Sequence, residues 1–236
     1  MERIDKVDGT FRRREEQIQY QEVSPAVIKR LPRYHRYLGE LIRQEKLRIS
    51  SAELSRIMGV TASQIRQDLN CFGGFGQQGY GYNVKYLYGK ISELLGTNEG
   101  YTAVIVGAGN LGRALAATHM FERRGITRLC LFDTDPAVVG EQISGLTVYH
   151  VDGLVEYCRE HKVDIGVLTV PKDAATEVAA MLVEGGVKGI WNFANMELEF
   201  NIDGVIVENM HMGDSLMKLS YEIKSRSEMQ KDDKDE

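Results

Sequence analysis

The chain has 236 residues, of which 43% are hydrophobic, and a formal net charge of −5. No apolar run reaches the roughly 18 to 20 residues that a membrane helix requires, and the N-terminal stretch MERIDKVDGTFRRREEQ lacks the apolar segment of a secretory signal. These properties exclude helical membrane proteins and predict a cytoplasmic globular protein with one large domain or two small ones.

Charge is distributed unevenly along the chain. Residues 23–90 contain eleven Lys and Arg against four Asp and Glu, a net charge of +7, whereas residues 91–236 carry −11. A basic segment joined to an acidic one indicates that only the first part meets a polyanion. The alternative is that these charged residues only form solvated surfaces and bind no partner.

Residues 1–22 are polar and charge-mixed, which predicts a tail. The next helix is predicted to begin with Ser24 as its cap and Pro25 in its first turn. Pro32 interrupts the pattern, so the long helix is expected to restart near Arg33. Its apolar side chains then fall on one face.

Two short helices follow, joined by a turn. Ser50 or Ser51 is expected to cap the first, with Glu53 in its first turn and Gly59 at its end. The second begins after Thr61, and its apolar residues face inward. Its outward residues are Ser63, Gln64, Arg66, Gln67 and Asn70. With the glycine- and aromatic-rich hairpin sequence FGGFGQQGYGYNV, these helices predict a winged helix-turn-helix over residues 23–90.

Beyond a linking helix that ends at Gly96, strand and helix patterns alternate, with one helix expected over 110–125. Such alternation predicts an α/β domain with a mostly parallel, doubly wound sheet over residues 91–212. Residues 213–236 are expected to form a final amphipathic helix and a frayed tail. Three separated cysteines, without metal-ligand spacing, predict reduced thiols and no metal.

The stretch VIVGAGNLGRALA contains a G-x-G-x-x-G fingerprint at Gly107, Gly109 and Gly112. It lies between a predicted strand and helix, so its backbone can approach a pyrophosphate at the helix N-terminus. Asp133 ends the next strand, where a carboxylate can accept from a ribose 2′-hydroxyl and would repel a 2′-phosphate. The sequence therefore favours NAD(H). An empty Rossmann-like domain remains the alternative.

Several long motifs resemble the redox-sensing transcriptional repressor Rex family, in order from Ser24 to Leu219. They are ISSAELSRIMGVTASQIRQDL, FGGFGQQGYGYNV, VIVGAGNLGRALA, FDTDP, DIGVLTVP, GIWNFA and VIVENM. The resemblance implies a non-enzymatic repressor that binds an inverted-repeat operator as a homodimer. Each Rossmann domain would hold NADH or NAD⁺, and the last helix would be exchanged between protomers. NADH would close the dimer and release DNA.

The resemblance also implies three sets of site residues. The cofactor set is Gly107, Ala108, Gly109, Asn110, Leu111, Gly112, Asp133, Val170, Pro171, Asn192 and Ala194. The DNA-binding set is Arg30, Ser51, Ser63, Gln64, Arg66, Gln67, Gly79 and Tyr80. The switch set is Arg36, Thr118 and His211.

Some positions depart from the family pattern. His211 stands where the family usually has the Asp that pairs with Arg36, and Thr118 replaces a tyrosine. Gln67 and the wing tip Gln77–Gln78 replace basic residues. Two interpretations follow: a working repressor, or a Rex-like paralogue with an impaired redox switch or altered DNA specificity. Outside the family, an NAD-dependent oxidoreductase and a CoA-binding Rossmann domain remain as alternatives.

Overall fold

A computed structural model describes residues 24–70, 76–77, 81–198 and 204–232. The chain divides into two compact units, Met1–Gly96 and Thr97–Glu236. Among the described residues, no helix combines the length and apolar character needed to cross a membrane.

The N-terminal unit is a winged helix. Its helices are α1 (Pro25–Arg43), α2 (Ser51–Met58), α3 (Ala62–Asn70) and α4 (Val84–Leu94), and its strands are β1 (Arg48–Ile49), β2 (Gly76–Gln77) and β3 (Gly81–Asn83). The strands form an antiparallel sheet in the order β1-β3-β2. Helix α4 packs against α1. The end predicted for the first domain, residue 90, lies inside α4.

Helix α1 continues through Pro32, so the predicted restart near Arg33 is wrong. A proline inside a helix costs about 3 kcal/mol because it removes a hydrogen bond and crowds the preceding turn. Helix α1 buries Leu31 and Tyr34 beside that proline. Each large buried side chain contributes about 1.5–3 kcal/mol, so packing outweighs the local penalty.

The predicted caps of α1, α2 and α3 are confirmed. Ser24 accepts from Val27 N, and Thr61 Oγ1 accepts from Gln64 N at 3.1 Å. Ser50, rather than Ser51, caps α2 in a reciprocal box with Glu53. The left-handed Gly59, with φ of 64°, ends α2. These local contacts satisfy backbone N–H groups in the first turns of the three helices.

The C-terminal unit is a Rossmann-type α/β fold. Its strands are β4 (Thr102–Val106), β5 (Thr127–Asp133), β6 (Gln142–Ile143), β7 (Leu146–His150), β8 (Ile165–Leu168), β9 (Gly189–Asn192) and β10 (Ile206–Asn209). Its helices are α5 (Asn110–Ala117), α6 (Leu154–His161), α7 (Lys172–Glu184) and α8 (Met212–Asp232), with short 3-10 turns at Glu122–Arg124 and Val151–Gly153.

The described sheet has the order β10-β9-β8-β4-β5-β7-β6, and its ladders are parallel except at β6. Alternate side chains of β4 enter opposite cores: Val104 and Val106 pack with α6 and α7, and Ala103 and Ile105 pack with α5. The strand is apolar throughout because both of its faces are covered. The chain order reverses between β5 and β8, which both flank β4.

Helix α5 is shorter than expected and ends at Ala117, so the predicted helix over 110–125 is wrong beyond that point. Thr118 is extended, with φ −86° and ψ 147°. Its hydroxyl donates to the Leu115 carbonyl at 3.0 Å, which satisfies an orphan acceptor of the last turn. The chain then reaches Phe121, which is buried in the core on the α5 side of the sheet.

The capping box of α2 should make stability depend on acid pH. Hydrogen bonds from Lys46 and from the Ser50 backbone lower the pKa of Glu53 to about 2. The unfolded value is near 4.5, so the stabilisation is complete above that pH and is lost as pH falls towards 2. Glu53→Gln keeps an acceptor for the Ser50 N–H but loses the charge, so it should lower the free energy of unfolding at pH 7 by about 0.3–1 kcal/mol. Denaturant unfolding should show that the difference narrows below pH 4.5.

Glu93→Gln is the matched control, because Glu93 makes only an exposed i,i+3 pair with Lys90. Such pairs contribute well under about 1 kcal/mol, so its unfolding should follow wild type at every pH. A Glu53→Gln penalty that persists unchanged at pH 2.5 would contradict the role assigned to the ionised carboxylate.

Candidate functional site

The register of the parallel sheet assembles the predicted nucleotide site. Val106 pairs with Phe132 on one side and with Leu168 on the other. The residues that follow these three, Gly107, Asp133 and Thr169, therefore meet at the carboxyl edge. This edge is the switch point where open α/β sheets bind ligands.

Glycine is required twice in this loop. Gly107 has φ of 102°, and a Cβ there would lie 2.7 Å from the Thr169 carbonyl oxygen. A Cβ on Gly112 would lie 1.8 Å from the Gly107 carbonyl oxygen. By contrast, a Cβ on Gly109 would meet open space. Gly107 and Gly112 are thus needed for the turn and for helix packing, while Gly109 leaves room beside the N-terminus of α5.

Asp133 connects the second strand to the glycine loop. Its Oδ2 accepts from the Ala108 backbone N–H at 2.6 Å, and its Oδ1 accepts from Asp135 N–H at 2.9 Å. An ionised carboxylate has about four acceptor sites, so two remain for ligand hydroxyls. The carboxylate both shapes the loop and faces the crevice.

A crevice of about 450 Å³ lies at this edge, lined by Gly107, Gly109, Asp133, Val170 and Pro171 from the predicted cofactor set. Asn110 and Leu111 form the first turn of α5, which begins directly after Gly109. The free N–H groups and positive dipole end of that turn suit a phosphate. Asp133 is the one titratable residue among the described residues of the lining.

Two residues that the sequence reasoning missed fasten the loop. The Thr169 hydroxyl contacts the carbonyl oxygens of Val106 and Gly107, at 3.0 and 2.9 Å. Arg113 Nε donates to the Ala108 carbonyl at 2.9 Å, and its Nη2 pairs with Glu141 at 2.7 Å. Their positions, directly before Val170-Pro171 and directly after Gly112, are the only signal in the sequence.

Asn192, a member of the predicted cofactor set, is buried inside the protein and is not among the residues that line the crevice. Its side chain is completely buried, and its Nδ2 donates to the Met196 carbonyl and to Asn209 Oδ1. Its Oδ1 accepts from Ala194 N–H at 2.9 Å. Asn192 therefore ties the end of β9 to β10 and shapes the backbone at Ala194.

The predicted DNA-binding residues lie on α1, α2 and α3 of the winged helix. Arg66 is exposed on α3, and its Nη1 donates to Ser51 Oγ at the start of α2, at 3.2 Å. Ser63 and Gln67 are also exposed on α3. Gly79 and Tyr80 lie outside the described residues.

Arg30 and Gln64 share one partner that the sequence did not reveal. Both donate to Asp68, a residue of α3 with a completely buried side chain. Arg30 makes a bidentate pair, with bonds of 2.7 and 2.8 Å. Arg30 is therefore partly committed inside the protein, while its side chain remains 28% exposed.

The predicted switch residues lie in both units. In the N-terminal unit, the Arg36 guanidinium lies 5.1 Å from the centre of the Tyr37 ring, and hydrogen bonds from Arg36 and Arg33 lower the pKa of Tyr37. In the C-terminal unit, His211 Nε2 lies 3.7 Å from Glu197 Oε1. A carboxylate therefore stands beside His211.

Cys130 and Cys158 are free and buried, and burial raises the pKa of the Cys130 thiol to about 12 and that of Cys158 to about 11. Both thiols are protonated at neutral pH, as expected for inert core residues. Cys71 lies outside the described residues.

Within the described ranges, no group of three His, Cys, Asp or Glu residues could hold a metal ion.

Comparisons with known proteins match both units. Residues 22–70 match a family model described as a putative DNA-binding protein N-terminus, and residues 98–196 match one described as a CoA binding domain. A redox-sensing transcriptional repressor Rex of Caldicellulosiruptor saccharolyticus is 51% identical over 204 residues, which cover 86% of this chain and 93% of that protein.

Solved structures of RSP, a Rex-family repressor, are similar to this chain in both fold and sequence. The complex of RSP with β-NAD⁺ and operator DNA has a TM-score of 0.82 and 49% identity, and covers 89% of this chain and 97% of that chain. The complex of RSP with β-NADH has a TM-score of 0.82 and 46% identity, and covers 89% and 98%. The likeness extends over both units.

Two glycine variants should separate loop packing from ligand access. Gly112→Ala should lower the free energy of unfolding of the C-terminal unit by about 2 kcal/mol or more, because its Cβ meets backbone that cannot move away. Gly109→Ala should fold normally, since its φ of −71° suits alanine and its Cβ meets no atom within 4 Å. Thermal unfolding without ligand tests both, and equal losses in the two variants would contradict the packing argument.

Proposed function

The chain belongs to the redox-sensing transcriptional repressor Rex family, and we propose from this that it represses transcription in response to the NADH/NAD⁺ ratio. The observation that carries the proposal is the 49% identity to RSP, whose structures hold β-NAD⁺ with operator DNA and, separately, β-NADH. In this proposal the winged helix binds the operator and the crevice at the carboxyl edge of the sheet binds the nucleotide.

NAD(H) fits the crevice better than its close relatives do. The two free acceptor sites of Asp133 can accept from ribose hydroxyls, and its charge would repel a phosphate on the same ribose. NADP(H) carries that phosphate at the 2′ position and CoA carries one at the 3′ position. The match of residues 98–196 to a CoA-binding model therefore supports the shared fold, and Asp133 supports NAD(H) as the ligand.

The nucleotide acts as a signal and is not consumed. Hydride transfer needs a group that moves a proton near the nicotinamide. Asp133, the titratable residue in the described lining, is assigned here to the ribose hydroxyls, which leaves no described lining residue for that role. A signal requires only that NADH and NAD⁺ bind two arrangements of the protein with different affinities. The composition of the described lining therefore favours a sensor over an oxidoreductase.

We also propose a homodimer in which α8 is exchanged between protomers. Met212, Leu216, Leu219 and Ile223 lie on one face of α8 by helical spacing, and each side chain is more than half exposed in the single chain. Met217 and Tyr221 are also exposed, on the opposite face. A helix with apolar residues on two faces is stable in water when protein covers both of them.

The central experiment is an operator-binding titration with the full-length protein. An inverted-repeat duplex selected from a random library should bind at least tenfold more weakly in saturating NADH than in saturating NAD⁺, a difference of about 1.4 kcal/mol. Fluorescence anisotropy measures both affinities. Nucleotide released on denaturation should be NAD(H), and recovery of CoA would contradict the ligand assignment.

Gly109→Ala is the matched control for this titration. Its Cβ fills the space beside the N-terminus of α5, so it should bind DNA normally and lose the response to NADH. Equal wild-type affinity in NADH and NAD⁺ would favour the paralogue with an impaired switch. If the protein bound no duplex and steadily oxidised NADH in the presence of a metabolite, the proposed repressor function would be wrong and the oxidoreductase alternative would be favoured.

The exchanged helix gives a separate prediction. Leu216→Glu with Leu219→Glu should convert the dimer to a monomer in sedimentation and weaken operator binding at least tenfold, because charges on the apolar face cannot be buried without partners. Lys218→Ala, on the same helix but only in an exposed pair with Glu222, should remain dimeric. A double variant that stays dimeric would show that α8 does not form the interface.

A further inference from the structure

The buried carboxylate of Asp68 is saturated by hydrogen bonds. Arg30 Nε and Nη2 donate at 2.7 and 2.8 Å, Tyr34 Oη donates at 2.9 Å, and Gln64 Nε2 donates at 2.8 Å. A carboxylate has about four acceptor sites, and these four bonds use all of them. The cluster ties the last turn of α3 to α1 and to the first turn of α3.

Asp68 is ionised in this cluster. Burial by itself would raise the pKa of Asp68, but hydrogen bonds from Arg30, Gln64 and Tyr34 outweigh it and hold the pKa below its usual value. An ionised carboxylate accepts hydrogen bonds and cannot donate them. The Gln64 amide must therefore present its N–H to Asp68, because the flipped amide would place Oε1 against a negative oxygen.

This constraint fixes which group Gln64 offers to the outside. Oε1 is the remaining polar atom of this amide, and among the described residues no hydrogen bond to it is found. Gln64 occupies the third position of α3, and the first turn of a recognition helix faces base edges in the major groove. A carbonyl oxygen cannot bond to phosphate oxygens, which also only accept.

Among the bases, adenine fits this arrangement best. Oε1 can accept from the N6 amine of adenine or the N4 amine of cytosine. With the N–H trans to Oε1 bound to Asp68, the second N–H of Gln64 Nε2 lies on the same edge of the amide as Oε1, and adenine places its N7 acceptor beside its N6 amine. Adenine alone satisfies both groups.

We propose that Asp68, buried beyond reach of DNA, determines base preference by orienting Gln64 so that it reads adenine at one position of each operator half-site. Asp68 is a positioning residue in this scheme, and Gln64 is the residue that contacts the base. The inference rests on the proposed function as a DNA-binding repressor, and it adds the specificity of one contact.

The test compares base preferences of full-length wild type and Asp68→Asn, selected from a randomised duplex library and quantified by competition binding. An asparagine that turns its amide towards Gln64 donates to Gln64 Oε1, while its oxygen still accepts from Arg30 Nε and Tyr34 Oη and only the bond from Arg30 Nη2 is lost. Gln64 should then turn and offer N–H groups, which suit the O6 and N7 acceptors of guanine. We expect the adenine-to-guanine affinity ratio at one position per half-site to fall at least tenfold, with other positions within about threefold.

Tyr34→Phe is the matched control. It removes one hydrogen bond from the same buried carboxylate but keeps the Gln64 anchor, so it should lower stability and leave every base preference unchanged. If destabilisation alone altered base preference, Asp68→Asn and Tyr34→Phe would show the same change in preference. An Asp68→Asn protein with the wild-type ranking at every position, or a Tyr34→Phe protein with the altered ranking, would overturn the proposal.

If thermal unfolding shows that Asp68→Asn does not fold, Gln64→Ala tests the proposal in its place. The proposal expects loss of the adenine preference at that position with unchanged NADH affinity, and an unchanged ranking would refute it. Sequence-selective wild-type binding without adenine at any shared position would refute the inference and leave the repressor function standing. Absence of all selective duplex binding would remove both.

Discussion

The hydrogen bond from Ala108 N–H to Asp133 Oδ2 is the contact on which the nucleotide site depends. It joins the loop after the first strand of the Rossmann unit to the end of the second strand, at 2.6 Å. Thr169 fastens the same loop from the neighbouring strand on the other side. The crevice is therefore shaped before any ligand enters, which lowers the ordering cost of binding.

The winged helix also depends on one carboxylate, which in this case is completely buried. Asp68 gathers donors from α1 and α3, so the position of the recognition helix and the orientation of its first-turn amide come from one carboxylate. Buried ion pairs often add little net stability, because desolvation offsets the attraction. Their value is geometric, and here the geometry concerns the surface that is proposed to meet DNA.

The C-terminal unit presents apolar side chains that the single chain leaves uncovered. Helix α8 presents apolar side chains on two faces, and the C-terminal unit also has an apolar cavity of about 760 Å³ lined by Phe121, Trp191 and Ile206. In the proposed dimer the apolar faces of α8 would be covered by protein. Glu197 beside His211 supplies a carboxylate where the family pattern expected an aspartate, although on a different segment of the chain.

The sequence alone determined what depends on neighbours along the chain. Helix caps, the glycine fingerprint and the strand–helix alternation are local patterns, so the winged helix, the parallel sheet and the positions of Gly107 and Asp133 could be predicted. Tertiary structure decided what depends on distant packing. Helix α1 passes through Pro32 because buried side chains outweigh the local penalty, and α5 stops at Thr118 because the chain turns to bury Phe121. Asp68 looked like an ordinary helix residue, and only the approach of α1 gave it the partners Arg30 and Tyr34, 38 and 34 positions away.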